Sequence, residues 1–179
     1  MIGAKYHCLH EKDGLVCVDK PTLQKCFDLF REIAPGLVFT HALRDYMIDH
    51  EQVAILARSA SFVYAARNCS QVPLKPGSGI PYLYYCDPIE GIDPLGRAVE
   101  ATTLVDITGQ MPTKETMLAC HASQRQWLRD HHGMDEYIEA MKRHAAMRGT
   151  QVGRAYAEGF VQHRGHAYPH DDLLREIFG

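Results

Sequence analysis

Residues 21–40 combine an amphipathic helix pattern with a short apolar run. Pro21 stands where a first helical residue is expected, and the helix ends at Pro35 and Gly36. Between these points the apolar positions recur with helical spacing, at Leu23, Cys26, Phe27, Phe30, Ile33 and Ala34. Residues 37–40 then read Leu-Val-Phe-Thr, which is typical of a parallel strand covered on both faces. The pattern predicts a helix that leads into a buried strand, as in an α/β fold.

The remaining patterns extend this alternation along the chain. A further helix is expected from Asp49 to about Asn68, with Asp49 as its N-cap and Gln52 completing a capping box. Additional helices are predicted over residues 112–129 and 135–148, the second one stopped by Gly149, and a short tail follows over residues 171–178. Strands are predicted over residues 5–9, 15–18, 82–86, 102–107 and 155–161.

Length, charge and cysteine usage exclude several classes of protein. A chain of 179 residues fits one domain, residues 1–179, with one substantial core. The formal net charge of -3 does not provide the basic surface that nucleic-acid binding requires. No stretch approaches the roughly 20 apolar residues of a membrane helix, and the first residues do not form a secretory signal. The 6 cysteines include no CxxC pair, so we predict reduced thiols, a cytoplasmic protein and no membrane or nucleic-acid partner.

A polar segment, His41 to His50, follows the predicted strand 37–40. Ligands of open α/β sheets bind beyond the carboxyl ends of the strands, so this segment is a candidate site. At the first turn of a helix, His50 is favoured in its neutral form, which ligates metals, and Asp49 is placed either to cap the helix or to orient that ligand. A purely structural role for His50 is the alternative, and a local site of His41, Asp45 and His50 is a further one.

Other polar residues are weaker candidates. His121 shares a helical stripe with Met117, Gln124 and Leu128 and is expected to point toward the core or the crevice, as either a structural or a site residue. Arg97 lies in a loop rich in glycine and proline, where it is either solvated or in reach of an anionic substrate. The spacing of His163, His166 and His170 would suit a metal, but the turn-rich surroundings favour an exposed segment.

Three sequence blocks resemble the LmbE/PIG-L family of zinc-dependent de-N-acetylases. Residues 45–51, Asp-Tyr-Met-Ile-Asp-His-Glu, follow a strand that ends in Thr-His, as in that family's second motif block. Lys114 precedes His-Ala-Ser-Gln at residues 121–124, which resembles the family's lysine-containing helix with its His-x-Ser-Gln block. Residues 156–160, Tyr-Ala-Glu-Gly-Phe, resemble its Tyr-Ala-Glu-x-Phe block. The three blocks occur in the same order as in the family and are spread across nearly the whole chain.

The resemblance implies a Rossmann-like, mainly parallel sheet with helices on both faces, incomplete at the N-terminus. It implies one Zn²⁺ that activates water to remove an N-acetyl or other N-acyl group from an amino sugar or a related small amide. By that resemblance His50 is the metal ligand contributed by this chain. We further predict catalytic roles for Asp45, Asp49 and His121, and substrate contacts for Arg97 and His41.

Two departures from the family pattern qualify the enzyme prediction. The first family block, His-Pro-Asp-Asp-Glu, would supply the other metal ligands and the catalytic base, and this sequence lacks it. Met47 stands where many members have a helper histidine, and methionine cannot donate that hydrogen bond. The chain therefore matches the C-terminal two thirds of the family fold, and without the first block it would be inactive. The alternative is a non-catalytic sugar-binding or assembly module, and formation of a homo-oligomer is left open.

Overall fold

A computed structural model describes residues 2–132 and 137–178, and its strands form one mixed sheet. The elements in chain order are α1 (Lys20–Ile33), β1 (Leu37–Thr40), α2 (Ile48–Val63), β2 (Tyr82–Cys86), β3 (Thr103–Asp106), α3 (Met111–Ala119), α4 (Ala122–His132), α5 (Tyr137–Thr150), β4 (Ala157–Gln162) and α6 (Leu173–Phe178). The strand order is β1-β2-β4-β3. β1 pairs with β2 in parallel, and β2 pairs with β4 in antiparallel orientation. The α/β prediction is confirmed.

The chain divides into two compact units. The larger unit comprises Tyr6–Thr103 and Phe160–Leu173. The smaller unit comprises Met1–Lys5, Leu104–Gly159 and Leu174–Gly179. Strands β3 and β4 each contribute residues to both units, and a single domain over residues 1–179 stays a prediction.

Helix α1 in the larger unit forms where the sequence predicts it. The carboxylate of Asp19 accepts a hydrogen bond from the Thr22 backbone N–H (2.8 Å), as an N-cap does, and Pro21 lies in the first turn. Ala34 ends the helix in the left-handed conformation (φ 55°) and donates its backbone N–H to the Phe30 carbonyl. The apolar face of α1 packs on α2, where Cys26 meets Leu56 and Ala60 in a buried cluster.

Helix α2 lies between α1 and the strands of the larger unit. On the sheet side Ala54 packs against Leu83, Tyr85 and Tyr168, and Ala54 and Leu83 are fully buried. On the other side Leu56 and Ala60 face α1. The helix therefore has two apolar faces. Its first turn follows the carboxyl end of β1, since only residues 41–47 separate the two elements.

A buried arginine fixes the chain that follows α2. Arg31 of α1 is 4% exposed, and its guanidinium donates to the backbone carbonyls of residues 64–72. The acceptors are Tyr64 (2.8 Å), Ser70 (3.0 Å), Val72 (2.6 Å) and Ala66. Because carbonyls at the end of a helix lack intrahelical partners, a cation there both satisfies them and offsets the negative end of the helix dipole.

The smaller unit has its own core of Ile107, Met111 and Ala145. Outside this core, two partly exposed residues from the family-like blocks form an ion pair, Lys114 of α3 and Glu158 of β4 (2.5 Å). The prediction of one continuous helix over residues 112–129 is wrong. The N–H groups of Cys120 and His121 bond to the carbonyls three residues earlier (3.2 and 3.1 Å), and this tight turn separates α3 from α4.

The two strands predicted near the N-terminus are also wrong. Residues 5–9 and 15–18 contain no strand. In the second segment the backbone N–H groups of Gly14 and Val16 bond to the Asp49 carboxylate (2.6 and 3.2 Å), and that of Val18 bonds to the Gln52 side chain (3.2 Å). Side chains of α2 therefore take the donors that a neighbouring strand would have used.

Other helix boundaries differ from the predictions by a few residues. α2 ends at Val63 rather than near Asn68, and the tail contains α6. The start predicted for α5 at Asp135 lies outside the described residues. No helix in the described ranges combines the length and the apolar character that crossing a bilayer requires.

Gly149 does not stop α5 as predicted, because the helix continues to Thr150. A Cβ atom at this position would lie 2.6 Å from the Arg154 carbonyl oxygen and 2.8 Å from the Ala155 carbonyl carbon. Gly149→Ala is therefore expected to lower the free energy of unfolding by about 1–2 kcal/mol in urea denaturation, although alanine is the better helix former. Gly109→Ala is the matched control, since no atom lies within 4 Å of its Cβ position. An equal effect of the two substitutions would contradict the close backbone approach.

Candidate active site

The segment between β1 and α2 brings two of the predicted histidines together. The rings of His41 and His50 are stacked, with centroids 4.0 Å apart and planes inclined by 4°. Tyr46 presents its ring at 87° to that of His50, at 5.6 Å. The stacking follows from the short connection, because His41 leaves the end of β1 and His50 lies in the first turn of α2.

Asp45 fixes the orientation of His50. The carboxylate oxygen Oδ1 of Asp45 lies 2.8 Å from Nδ1 of His50. An ionised carboxylate only accepts hydrogen bonds, so in the neutral tautomer that this contact favours, Nδ1 carries the proton and Nε2 keeps its lone pair. Asp45 is 6% exposed, and the same oxygen also accepts from the Met47 backbone N–H (3.1 Å). A histidine held in this way has the tautomer and the rigidity of a metal ligand.

His41 is disfavoured as a cation. Burial lowers the pKa of His41, and the neighbouring His50 lowers this pKa further, while the Asp45 carboxylate acts in the opposite direction. A neutral ring stacks on His50 without repelling a positive charge bound there. The substrate contact predicted for His41 stays a prediction.

Asp49 makes structural contacts. The prediction that it caps α2 is wrong, because the helix begins one residue earlier, at Ile48, with Met47 as its N-cap. The capping box with Gln52 is absent, since both side chains instead accept backbone N–H groups from residues 14–18. Asp49 is 6% exposed and anchors this N-terminal segment on α2. Its predicted catalytic role stays a prediction.

Replacing Asp49 with asparagine is expected to loosen the N-terminal segment. The amide has one acceptor oxygen in place of two and carries no charge, so the free energy of unfolding should fall by about 1–3 kcal/mol. Trypsin should also cleave faster after Lys12, which is exposed and lies just before the anchored residues. The control is Glu100→Gln at an exposed position. Unchanged stability and cleavage in Asp49→Asn would contradict the anchoring role.

Thr40 is a residue of this region that the sequence reasoning did not single out. It ends β1 next to His41 and is 8% exposed. Its hydroxyl oxygen has no hydrogen-bond partner among the residues that the structure describes. A buried polar atom without a partner is costly, so a hydroxyl at the tip of a strand is suited to a polar ligand. Its position as the last residue of an apolar run could have indicated it from the sequence. The strand itself is not covered on both faces as predicted, since Phe39 is 47% exposed.

The other predicted site residues lie elsewhere. His121 is exposed in the turn between α3 and α4, so the expectation that it points inward is wrong, while its catalytic role stays a prediction. Arg97 is exposed, and its backbone N–H donates to the Asp93 carboxylate (2.9 Å). That hydrogen bond is the main reason why the pKa of Asp93 lies below its usual range, and the charge of Arg44 adds to the effect. The substrate contact of Arg97 also stays a prediction.

The residues present fit part of a metal site. His50 with Asp45 forms the imidazole–carboxylate pair that is common at metal centres. Within residues 2–132 and 137–178, no three His, Cys, Asp or Glu side chains are grouped so that they could hold a metal ion. The histidines of the segment 163–170 accordingly form no such group. A catalytic zinc typically has three protein ligands, and among the described residues His50 is the candidate for one of them.

Comparison with known proteins gives matches to hydratases and to a deacetylase. No protein-family model matches the chain. In sequence it is 28% identical to the 4-oxalmesaconate hydratase of Pseudomonas putida, over 89% of this chain and 60% of that protein. The chain therefore spans about 60% of the length of this curated relative.

Several solved structures share the fold, including two that are named for an activity. GalB, the 4-carboxy-2-hydroxymuconate hydratase from Pseudomonas putida, superposes with a TM-score of 0.65 at 24% identity, over 87% of this chain and 63% of its own. The N,N'-diacetylchitobiose deacetylase from Pyrococcus horikoshii superposes with a TM-score of 0.68 at 20% identity, over 92% and 60%. The chain is thus similar in sequence to a hydratase and similar in fold to a hydratase and a deacetylase.

Proposed function

We propose that this chain contributes to a zinc-dependent enzyme of the LmbE/PIG-L type, which activates water against a small polar substrate. The observation that carries the proposal is the 2.8 Å contact between His50 Nδ1 and Asp45 Oδ1, because it leaves Nε2 of His50 available as a ligand. In that tautomer His50 has the nitrogen lone pair that zinc binding requires.

Four residues in and next to the segment 41–50 then have defined roles. His50 would hold the metal, which when bound supplies a polarising charge and lowers the pKa of water. Asp45 keeps the His50 ring in position, and Asp49 keeps the first turn of α2 attached to residues 14–18. Thr40 offers a hydroxyl at the tip of β1 to a polar ligand. In this proposal the remaining ligands and a catalytic base come from an N-terminal segment with the first family block, which this sequence lacks.

The first candidate reaction is removal of an N-acyl group from an amino sugar or a small amide. The three family-like blocks and the fold shared with a chitobiose deacetylase support it. The second candidate is the addition of water to an unsaturated carboxylate. The sequence similarity to a 4-oxalmesaconate hydratase favours it. Both reactions need an activated water molecule, so the same residues would serve either one.

The test measures zinc content and two activities on this chain and on the full product of its gene. Bound zinc is quantified after dialysis. Amine release from N-acetylglucosamine and N,N'-diacetylchitobiose reports deacylation, and loss of ultraviolet absorbance from a hydroxymuconate-type acid reports hydration. Zinc binding together with one of the two activities supports the proposal and selects the reaction. A full gene product with neither zinc nor turnover would overturn it and favour the non-catalytic module.

A further inference from the structure

A cavity lies along the later turns of α2, away from the His41–His50 pair. It has a volume of about 410 Å³, within the usual range for small-ligand pockets. Arg58, Phe62 and Val63 of α2 form one wall, and His163 and Tyr168 of the segment after β4 form another. All five residues belong to the larger unit. Arg58 is eight residues after His50 in the same helix, which corresponds to about 12 Å along the axis.

The walls of this cavity are held by contacts across the fold. The Tyr168 hydroxyl donates to the Arg58 backbone carbonyl (2.9 Å), and the Tyr168 ring stacks near Phe62 at 6.1 Å. The ring of His163 meets Tyr168 nearly edge-on at 4.2 Å, and its Nδ1 lies 3.0 Å from the Tyr85 hydroxyl. Tyr168 is 7% exposed, whereas the Phe62 ring is 48% exposed and offers an apolar surface to a ligand.

Arg58 brings a guanidinium charge to the cavity, which His163 and His166 also line. Burial lowers the pKa of His163, and the charge of Arg58 lowers that pKa further, so the imidazole is neutral at neutral pH. Burial raises the pKa of Tyr168 to about 12, so its phenol is neutral as well. No carboxylate lines the cavity, and none forms an ion pair with Arg58 within residues 2–132 and 137–178.

The carboxyl end of α2 does not cancel this charge. The last turn of a helix carries partial negative charge, which would repel an anion bound beside it. Here the carbonyl of Tyr64, at the end of α2, already accepts a hydrogen bond from the Arg31 guanidinium (2.8 Å). The Ala66 carbonyl accepts another. The Arg58 side chain also forms a hydrogen bond with the Tyr85 hydroxyl, a neutral group that does not cancel its charge.

We propose that this cavity binds a small aromatic monocarboxylate. Its carboxylate would pair with the Arg58 guanidinium, whose planar fork matches two carboxylate oxygens. Its ring would pack against the exposed face of Phe62 beside Tyr168. A guanidinium next to an apolar wall favours one anionic group attached to an apolar body over a polyanion or a neutral ring. The site is independent of the proposed function, since no contact with His50 enters it.

The probe is benzoate, titrated into the whole ¹⁵N-labelled chain and followed by two-dimensional NMR. Saturable shifts should be confined to residues near 58–63 and 163–168. Benzamide, which has the same ring without the charge, should bind at least about tenfold more weakly, because a charge-assisted hydrogen bond accounts for that ratio or more. Inorganic phosphate should also bind more weakly than benzoate, since it has no apolar body.

Variants separate the guanidinium from the apolar wall. Arg58→Gln should weaken benzoate binding by about tenfold or more, and Arg58→Lys should retain part of it. Phe62→Ala should weaken benzoate while leaving phosphate unchanged. Arg67→Gln, at an exposed arginine shortly after α2, is the matched control and should leave benzoate binding as it was. The proposal is overturned by shifts that do not saturate, by shifts elsewhere in the chain, by equal binding of benzamide, or by Arg58→Gln and Arg67→Gln behaving alike.

Discussion

Replacing Arg31 with alanine is expected to lower the free energy of unfolding by about 3–5 kcal/mol, measured by urea denaturation followed by circular dichroism. The guanidinium is buried and donates to the carbonyls of Tyr64, Ser70, Val72 and Ala66. Alanine removes all of these hydrogen bonds at once. It leaves buried acceptors without donors and opens a space between α1 and the chain after α2.

Two further substitutions at arginine positions make this result specific. Arg31→Lys keeps the charge but has a single donor nitrogen, so it should recover only part of the lost stability. Arg67→Ala removes an exposed arginine from the same region and should change stability by no more than about 0.5 kcal/mol. If Arg31→Ala cost as little as Arg67→Ala, Arg31 would not hold residues 64–72.

Replacing His50 with alanine is expected to reduce zinc affinity and turnover at least about 100-fold in the full gene product. The substitution removes a ligand, and losing the hydrogen-bonded partner of a ligand already costs roughly 10–100-fold in metal affinity. Zinc retained after dialysis and the rate of the active assay are the two measurements. Unfolding is measured as a control. The side chain of His50 is about one quarter exposed, so we expect the substitution to change the free energy of unfolding little.

Two further variants are compared with His50→Ala: Asp45→Asn as a milder change at the same site, and His170→Ala as the control. Asp45→Asn keeps the shape but weakens the hydrogen bond that orients the ring, so zinc affinity should fall by about 10–100-fold. His170 is an exposed histidine outside the segment, and His170→Ala should behave like the wild type. Unchanged zinc affinity in His50→Ala would remove the metal-ligand role and leave His50 a structural residue.

Local sequence patterns predicted much of the larger unit. The spacing from Leu23 to Ala34 identified α1, and the apolar runs identified β1 and β2 at their observed positions. Such patterns succeed because the spacing of apolar residues marks the helix face that packs inward, and short apolar runs mark strands. Local patterns could not predict the order of the strands in the sheet, because β4 pairs with β2 across more than seventy residues.

The candidate site was predictable in position but not in detail. The structure brings His41, Asp45 and His50 together, while a shared functional role for these three residues stays a prediction. The contacts of Asp49 were misjudged, because a carboxylate near a helix start can cap its own helix or reach a distant backbone, and only the fold decides between them. The sequence offered no sign that Gly14 and Val16 would lie against it.

The remaining errors share a physical cause. Residues 5–9 and 15–18 have strand-like composition, yet a strand forms only where a partner supplies a ladder of hydrogen bonds. The break at Cys120 falls within a good helical pattern, where no glycine or proline marks it. In both cases the outcome depends on the surroundings of the segment rather than on its own residues.

The arrangement around Arg31 also restricts how the chain can vary in length. Between Tyr64 and Val72 the polypeptide must present four carbonyls within reach of one guanidinium, so an inserted or deleted residue there would move its acceptors out of register. Residues 73–77 are exposed and escape this requirement. We therefore expect insertions and deletions to be tolerated after Val72 and not within residues 64–72.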